Sequence, residues 1–312
     1  MSPIPFIPLY MDRVWGGREL ESVYGRTLPD ATTPIGESWE IVDRDPEQSI
    51  VKEGPFAGKS LHELWTEHRE EIFGTDLPDS ERFPILIKIL DARDDLSIQV
   101  HPPVDKADEL GGEPKTEMWV IADADPDAKL YIGLKNGVTR TDFEKAIAES
   151  TVEQAVHAVS PKAGESIFIP SGRLHAIGAG LLIHEIQQNS DTTYRVFDWN
   201  RVGLDGKPRQ LHVEQSLASI DFADFEPDMD TPKGDVLAEC AFFRTNRRTL
   251  ASGESLANPD VNRFTLVGVV EGKLTSTDGR AFVKGDYFLL PRGAEPMKAA
   301  EATVALQIEL PK

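Results

Sequence analysis

A chain of 312 residues with 40% hydrophobic side chains has room for two domains and can bury a sizeable core, which excludes wholesale disorder. A formal net charge of −20 argues against nucleic-acid binding, because a phosphate backbone needs clustered cations. A few Lys and Arg gathered in one pocket can still hold a small phosphorylated molecule.

The N-terminal segment MSPIPFIPLYMDRVWGG lacks a basic stretch followed by a long apolar run, so it does not read as a signal peptide. No run of about 18 apolar residues exists, and even FPILIKIL is interrupted by Lys88. Cys240 is the single cysteine, so no intrachain disulfide can form. The expectation is a cytoplasmic protein with no membrane and no nucleic-acid partner.

Along the chain, helical spacing is rare. Residues 60–73 (SLHELWTEHREEIF) place Leu61, Leu64, Trp65, Ile72 and Phe73 on one face and stop at Gly74. Residues 141–148 predict a second short helix, capped by Thr139 or Thr141, and residues 213–220 a third. Between them lie PILIKIL, LSIQVH, EMWVIAD, KLYIGL, ESIFIP, LLIHEIQQ, RFTLVGVVEG and DYFLLP. These runs are short, rich in β-branched and aromatic residues, and bounded by Gly, Pro, Asp or Asn, which predicts strands. Many short strands imply a sandwich or barrel rather than a parallel βαβ sheet. No Gly-rich nucleotide fingerprint opens any helix.

One internal echo stands out. Gly164-x5-Pro170-x-Gly172-x2-His175 recurs as Gly285-x5-Pro291-x-Gly293-x2-Pro296. In both copies a Gly-permitted turn feeds an apolar strand that ends at a proline, which cannot donate to a ladder. Two such units imply two β-barrels of related build. The turn-rich, acidic DFADFEPDMDTPKGD then predicts a boundary, with one domain over 1–225, including helical insertions, and a second over 235–312.

Alternation along LSIQVH puts Ser97, Gln99 and His101 on one face of a strand. Buried polar groups need partners. A hydrogen-bonded core histidine would satisfy that need, but Glu117 opens the next predicted strand and His175 follows the Pro-Gly turn. Two imidazoles and a carboxylate, with a neutral oxygen from Gln99, suit one divalent transition metal, zinc being the first choice. The second copy of the repeat has Pro296 in place of His175, so the C-terminal domain is expected to bind none. His62, His68, His157, His184 and His212 read as structural or surface residues.

The Gly-x5-Pro-x-Gly-x2-His unit resembles the second cupin motif, although the Asn usual four residues after the His is Ala179 here. PILIKILDARDDLSIQVHP, PKTEMWVI, GESIFIPSGRLHAIG and NSDTTYRVFDWNR, in this order, resemble type I phosphomannose isomerases, especially the short bacterial form. VWGGREL and GESWE are also similar to that family. The resemblance spans roughly residues 10–220.

It implies a mainly β fold of two cupin-type jelly-roll barrels with a few short helices. It implies a metal-dependent aldose–ketose isomerase that interconverts mannose 6-phosphate and fructose 6-phosphate through an enediol. His101, Glu117 and His175 match the family's metal ligands, and Gln99 a fourth found in part of it. Arg195 matches its active-site arginine, while Lys88, Ser97, Lys115 and Glu185 match positions lining the substrate pocket. The roles expected are catalysis for Arg195, Lys115 and Glu185, and substrate binding for Lys88 and Ser97. The carbon base is open between Glu185, Lys115 and a metal-bound water. The partner is a small sugar phosphate, and the chain is a monomer or homodimer. The competing readings are a non-catalytic sugar-phosphate-binding cupin, an isomerase for another phosphosugar, a cupin oxygenase and a purely structural double barrel.

Overall fold

The computed structural model describes residues 1–312, which form two compact units. One unit contains residues 10–38 and 88–230; the other contains residues 1–9, 39–87 and 231–312. The division near residue 230 lies in the acidic, turn-rich segment. The second unit, however, also takes in the N-terminal strand and residues 39–87, which lie far from its C-terminal part in sequence.

The first unit stacks two antiparallel sheets. The larger has the strand order 166–169, 117–124, 181–188, 85–92, 9–17, 35–41. The smaller has the order 194–197, 98–100, 175–177, 130–134, 156–159. Trp119, Ile121, Ile167, Ile169 and Ile183 from the larger sheet meet Leu130, Ile132 and Ile177 from the smaller in one buried cluster. The outer face of the smaller sheet presents Ile98, Val100 and Val196 to Phe143 of helix Arg140–Ala148 and Leu217 of helix Val213–Ser219. Burial on both faces explains why these strands read as apolar runs.

The second unit repeats the plan. A seven-stranded sheet carries Val267, Val269 and Phe288, and a four-stranded sheet carries Leu274, Phe282 and Met297; all pack in one core. Neither unit closes into a hydrogen-bonded cylinder, so the cupin-type architecture is that of stacked antiparallel sheets. The repeat has a structural counterpart. Strands Ser166–Ile169 and Tyr287–Leu290 each stop at the proline, and strands His175–Ile177 and Met297–Ala299 follow in the opposite sheets. Gly164 and Gly285 both take φ near +90°, at 87° and 91°, which side chains with a Cβ avoid.

The helices also follow local rules. Thr139 and Asp142 form a capping box, as do Ser60 and Glu63. The expected helix over 60–73 is α-helical only over Leu61–Glu67; residues Arg69–Phe73 form a wider π turn. That turn ends at Gly74, whose N–H donates to the Arg69 carbonyl. The added residue lets both Ile72 and Phe73 enter the core, where Phe73 meets Trp65 and Phe83 with ring centroids 5.0 and 5.7 Å away. No helix is long and apolar enough to cross a membrane.

Candidate metal centre and its cavity

The first unit encloses a cavity of about 310 Å³ between its sheets. Its floor and wall come from cross-strand register. In the smaller sheet His175 pairs with Gln99, and Gln99 pairs with Arg195 on its other side, so the three lie in one row. Ile98 and Val100 anchor the opposite face, which turns Ser97, Gln99 and His101 inward. In the larger sheet Glu117 pairs with Gln187 and Trp119 with Glu185. Trp119 donates its indole N–H to Glu185 Oε2 at 3.1 Å.

His101, Glu117 and His175 converge at the bottom, with ligand atoms all within 4.8 Å of one another. His101 Nε2 lies 3.6 Å from Glu117 Oε2, and His175 Nε2 lies 3.5 Å from Glu117 Oε1. Each imidazole is turned by its other nitrogen. His101 Nδ1 lies 2.8 Å from the Thr192 carbonyl, and His175 Nδ1 lies 2.9 Å from the Arg173 carbonyl. A carbonyl can only accept, so each Nδ1 carries the proton and each Nε2 presents a lone pair to the carboxylate. His101 Nε2 and Glu117 Oε1 are buried with no hydrogen bond from the protein. Burying unpaired acceptors is costly, and a bound cation removes that cost. This donor set fits a divalent cation. Gln99 places its amide nitrogen Nε2 3.4 Å from His175 Nε2, while Ser97 Oγ donates to its Oε1 at 3.3 Å, so the oxygen expected to ligate faces Ser97.

Charge around the triad is balanced at close range. Lys115 Nζ lies 2.6 Å from Glu117 Oε2 and 3.7 Å from Glu185 Oε1, while Lys88 Nζ lies 3.5 Å from Glu185 Oε1. Both lysines are only 4% exposed, so neither is the surface lysine that a local reading allows. Burial opposes charge on Lys115, but the Glu117 and Glu185 carboxylates outweigh it and hold its pKa above the usual lysine value. Burial raises Glu185 above the ordinary carboxylate range, with Lys115 pulling the other way. Burial, assisted by Lys115, pushes His101 well below the usual imidazole range; burial also lowers His175, to about 4. Both histidines are neutral at pH 7, the state that metal ligation needs.

Arg195 stands nearer the mouth. Its Nε donates to Ser97 Oγ at 3.2 Å and its Nη1 to the Gln210 carbonyl at 3.0 Å. All nine residues singled out in the sequence are thus brought together: His175, Gln99, Ser97, Lys88, Lys115, Glu185 and Arg195 line the cavity, while His101 and Glu117 close the ligand set. The structure adds residues that the sequence reading passed over. Arg13, Glu37, Asp191, Arg209 and His212 also line the cavity, Arg13 and Glu37 as an ion pair at 2.8 Å. His212, expected to be structural or at the surface, lines the cavity and accepts the Arg195 backbone N–H through Nδ1 at 3.3 Å. No metal-ligand spacing marks it; only the fold brings it there. His184 is buried away from the cavity, 3.3 Å from the Tyr24 hydroxyl.

Residues 5–113 match the family described as phosphomannose isomerase type I, catalytic domain. Over 310 residues the chain is 37% identical to mannose-6-phosphate isomerase ManA of Bacillus subtilis, covering 95% of each. It is 37% identical over 291 residues to mannose-6-phosphate isomerase of Streptococcus mutans, covering 89% of each. The crystal structure of the Bacillus subtilis mannose 6-phosphate isomerase superimposes with a TM-score of 0.89 at 30% identity, over 99% of this chain and all of that one. A mannose 6-phosphate isomerase solved with zinc and yttrium shares the fold, with a TM-score of 0.76 at 15% identity over the full length of both chains.

Proposed function

The chain belongs to the type I phosphomannose isomerase family, and from that premise we propose that it interconverts mannose 6-phosphate and fructose 6-phosphate in the cavity above His101, Glu117 and His175. The observation that carries this reading is the meeting of a metal-ligand triad, two buried lysines, a buried carboxyl and an arginine in one 310 Å³ space. A non-catalytic binding protein needs no such pairing of acid and base groups.

The reaction moves a proton from C2 to C1 and shifts the carbonyl from C1 to C2. His101, Glu117 and His175 would hold a divalent cation, zinc by preference, with Gln99 as a further ligand once its amide is turned to present Oε1, and that cation would polarise the sugar oxygens. Glu185 takes the C2 proton and returns it at C1; its raised pKa makes it a stronger base than a solvated carboxylate. Lys115 stays an ammonium, so it donates toward O1 or O2 as charge passes between them and does not serve as the carbon base. Lys88, against Glu185, holds that carboxylate and a sugar hydroxyl in place. Arg195 supplies a charge that does not titrate away near neutrality, steadied by Ser97. The catalytic task falls to the unit of residues 10–38 and 88–230. The other unit, with Pro296 at the repeat position of His175, is structural.

The test is direct. Metal-loaded protein is incubated with mannose 6-phosphate, and fructose 6-phosphate is measured with and without chelator. Ketose should form, stop with chelator, and resume when zinc is restored. Binding of the aldose phosphate by calorimetry with no ketose formed would favour the non-catalytic reading.

A further inference from the structure

The carboxylate of Glu185 is held unevenly. Its Oε2 accepts the indole N–H of Trp119 at 3.1 Å. Its Oε1 is buried and accepts no hydrogen bond from the protein. Lys88 Nζ and Lys115 Nζ stand 3.5 and 3.7 Å from Oε1, near enough to balance its charge and too far to fix its direction. Glu185 is only 3% exposed, yet it lines the cavity together with Trp119. One of its oxygens is tied down and the other is not.

Trp119 is itself fixed by more than this bond. It lies in strand Glu117–Ala124, opposite Glu185 on one side and Ile167 on the other. It is 1% exposed and packs in the cluster that holds Ile121, Ile167 and Ile183. Its ring also meets the His175 imidazole edge to face, with centroids 5.4 Å apart and planes at 78°. A core tryptophan ordinarily serves packing, and leucine or phenylalanine fills such a space without a polar atom. Here the one donor of the indole is given to a charged acceptor. An indole N–H has no acceptor lone pair, so it neither takes the carboxyl proton nor relays it; it holds the oxygen in place. One rigid ring therefore touches both a metal-ligand imidazole and the carboxylate proposed as base.

We propose that Trp119 is a positioning residue for the isomerisation: its indole N–H clamps Glu185 Oε2 and thereby leaves Oε1 as the oxygen that carries the proton between C2 and C1. This rests on the isomerase reading above, with Glu185 as the carbon base. In the first step the C2–H bond breaks, its proton goes to Oε1, and its electron pair forms the C1–C2 double bond as the carbonyl pair settles on O1. In the second step the Oε1 proton bonds to C1 and C2 becomes the carbonyl carbon, the O2 hydroxyl proton having passed overall to O1. Glu185 ends as the carboxylate it began. C1 and C2 are one bond apart, so a single oxygen held still serves both carbons. A carboxylate free to turn would leave that geometry.

The experiment compares wild-type holoenzyme with Trp119→Phe, which keeps an aromatic ring beside His175 and loses the N–H. It measures metal content, KM and kcat for mannose 6-phosphate, and the isotope effect on kcat with substrate deuterated at C2. A misplaced catalytic group costs up to about 10² in rate, so kcat should fall by about tenfold to a hundredfold. KM should stay within about twofold, because the indole makes no uniform binding contact. Metal content should not change. The isotope effect should rise, because proton transfer slows relative to the other steps; a loss of folded protein lowers kcat and leaves the isotope effect alone. Unchanged kcat, or a lower kcat with the wild-type isotope effect, would overturn the proposal. Loss of metal would overturn it too, making Trp119 a support for His175. A second readout needs no turnover. The five tryptophans give five indole N–H resonances in 15N-labelled protein, and one should move upfield in Glu185→Gln as the charge-assisted bond weakens. If none moves, the clamp is absent and the proposal fails, a result that decides even where Trp119→Phe does not fold. A wild-type protein that makes no ketose while that resonance still moves would overturn the isomerase reading, and with it the role of Trp119 in catalysis, but not the clamp itself.

Discussion

Lys115 Nζ lies 2.6 Å from Glu117 Oε2, so the carboxylate that faces both metal-ligand histidines also holds a buried ammonium. With a cation on the triad, that one acid would answer to two positive charges. Removing Lys115 takes away a like charge from beside the metal position. In Lys115→Met, metal affinity should be equal to or higher than that of the wild type, while kcat falls by about 10² or more because the donor to the sugar oxygens is gone. Metal titration with an indicator dye, beside steady-state kinetics, checks both. A variant that loses its metal would show that Lys115 serves chiefly to place Glu117.

The triad should bind one divalent ion per chain. His175→Ala removes a ligand whose Nε2 lone pair is already directed at the site by the Arg173 carbonyl. Metal affinity should fall by more than about a hundredfold, since even outer-shell changes cost 10–100-fold. Elemental analysis after dialysis measures this; two ions per chain in the wild type would contradict the assignment.

Arg195 cannot ligate a cation, so its loss should separate metal binding from turnover. Arg195→Ala should keep a full metal complement and lose roughly 10²–10³ in kcat, typical for one donor to a developing oxyanion. Retention of near-wild-type kcat would remove it from the chemistry. Loss of metal with activity would instead make it a support for Gln99, its partner in register.

Asp91 predicts a pH dependence of stability outside the cavity. It is buried, accepts the Glu19 backbone N–H at 2.6 Å, and has its pKa raised by burial to about 6, against an ordinary 3.8. Below pH 3.8 both folded and unfolded states hold the proton, so the group contributes nothing. Between about pH 4 and 6 the folded state binds more protons, so stability falls as pH rises. Above 6 the full penalty applies, on the order of 1–3 kcal/mol. Thermal melting should therefore show Asp91→Asn gaining on the wild type between pH 4 and pH 7. Parallel Tm curves would rule this out.

Sequence by itself determined what depends on a few neighbouring residues. Alternation aimed Ser97, Gln99 and His101 to one side, because the strand period is two. Positive-φ glycines and ladder-breaking prolines marked both copies of the repeat, and Thr139 and Ser60 marked helix starts. The ligand types at 101, 117 and 175 suggested a metal because few other arrangements justify them.

Tertiary structure decided the rest. Whether Lys88 and Lys115 were surface or buried depended on Glu185, brought beside both by a strand distant from each in sequence. Arg209 and His212 reached the cavity only through the loop that turns at Trp199 and Asn200, a path that no spacing announces. Residues 39–87 joined residues 231–312 in one compact unit although about 140 residues intervene. Local sterics act within a strand or turn and can be read along the chain. Charge compensation and strand pairing act between segments distant in sequence, and only the folded register states which segments meet.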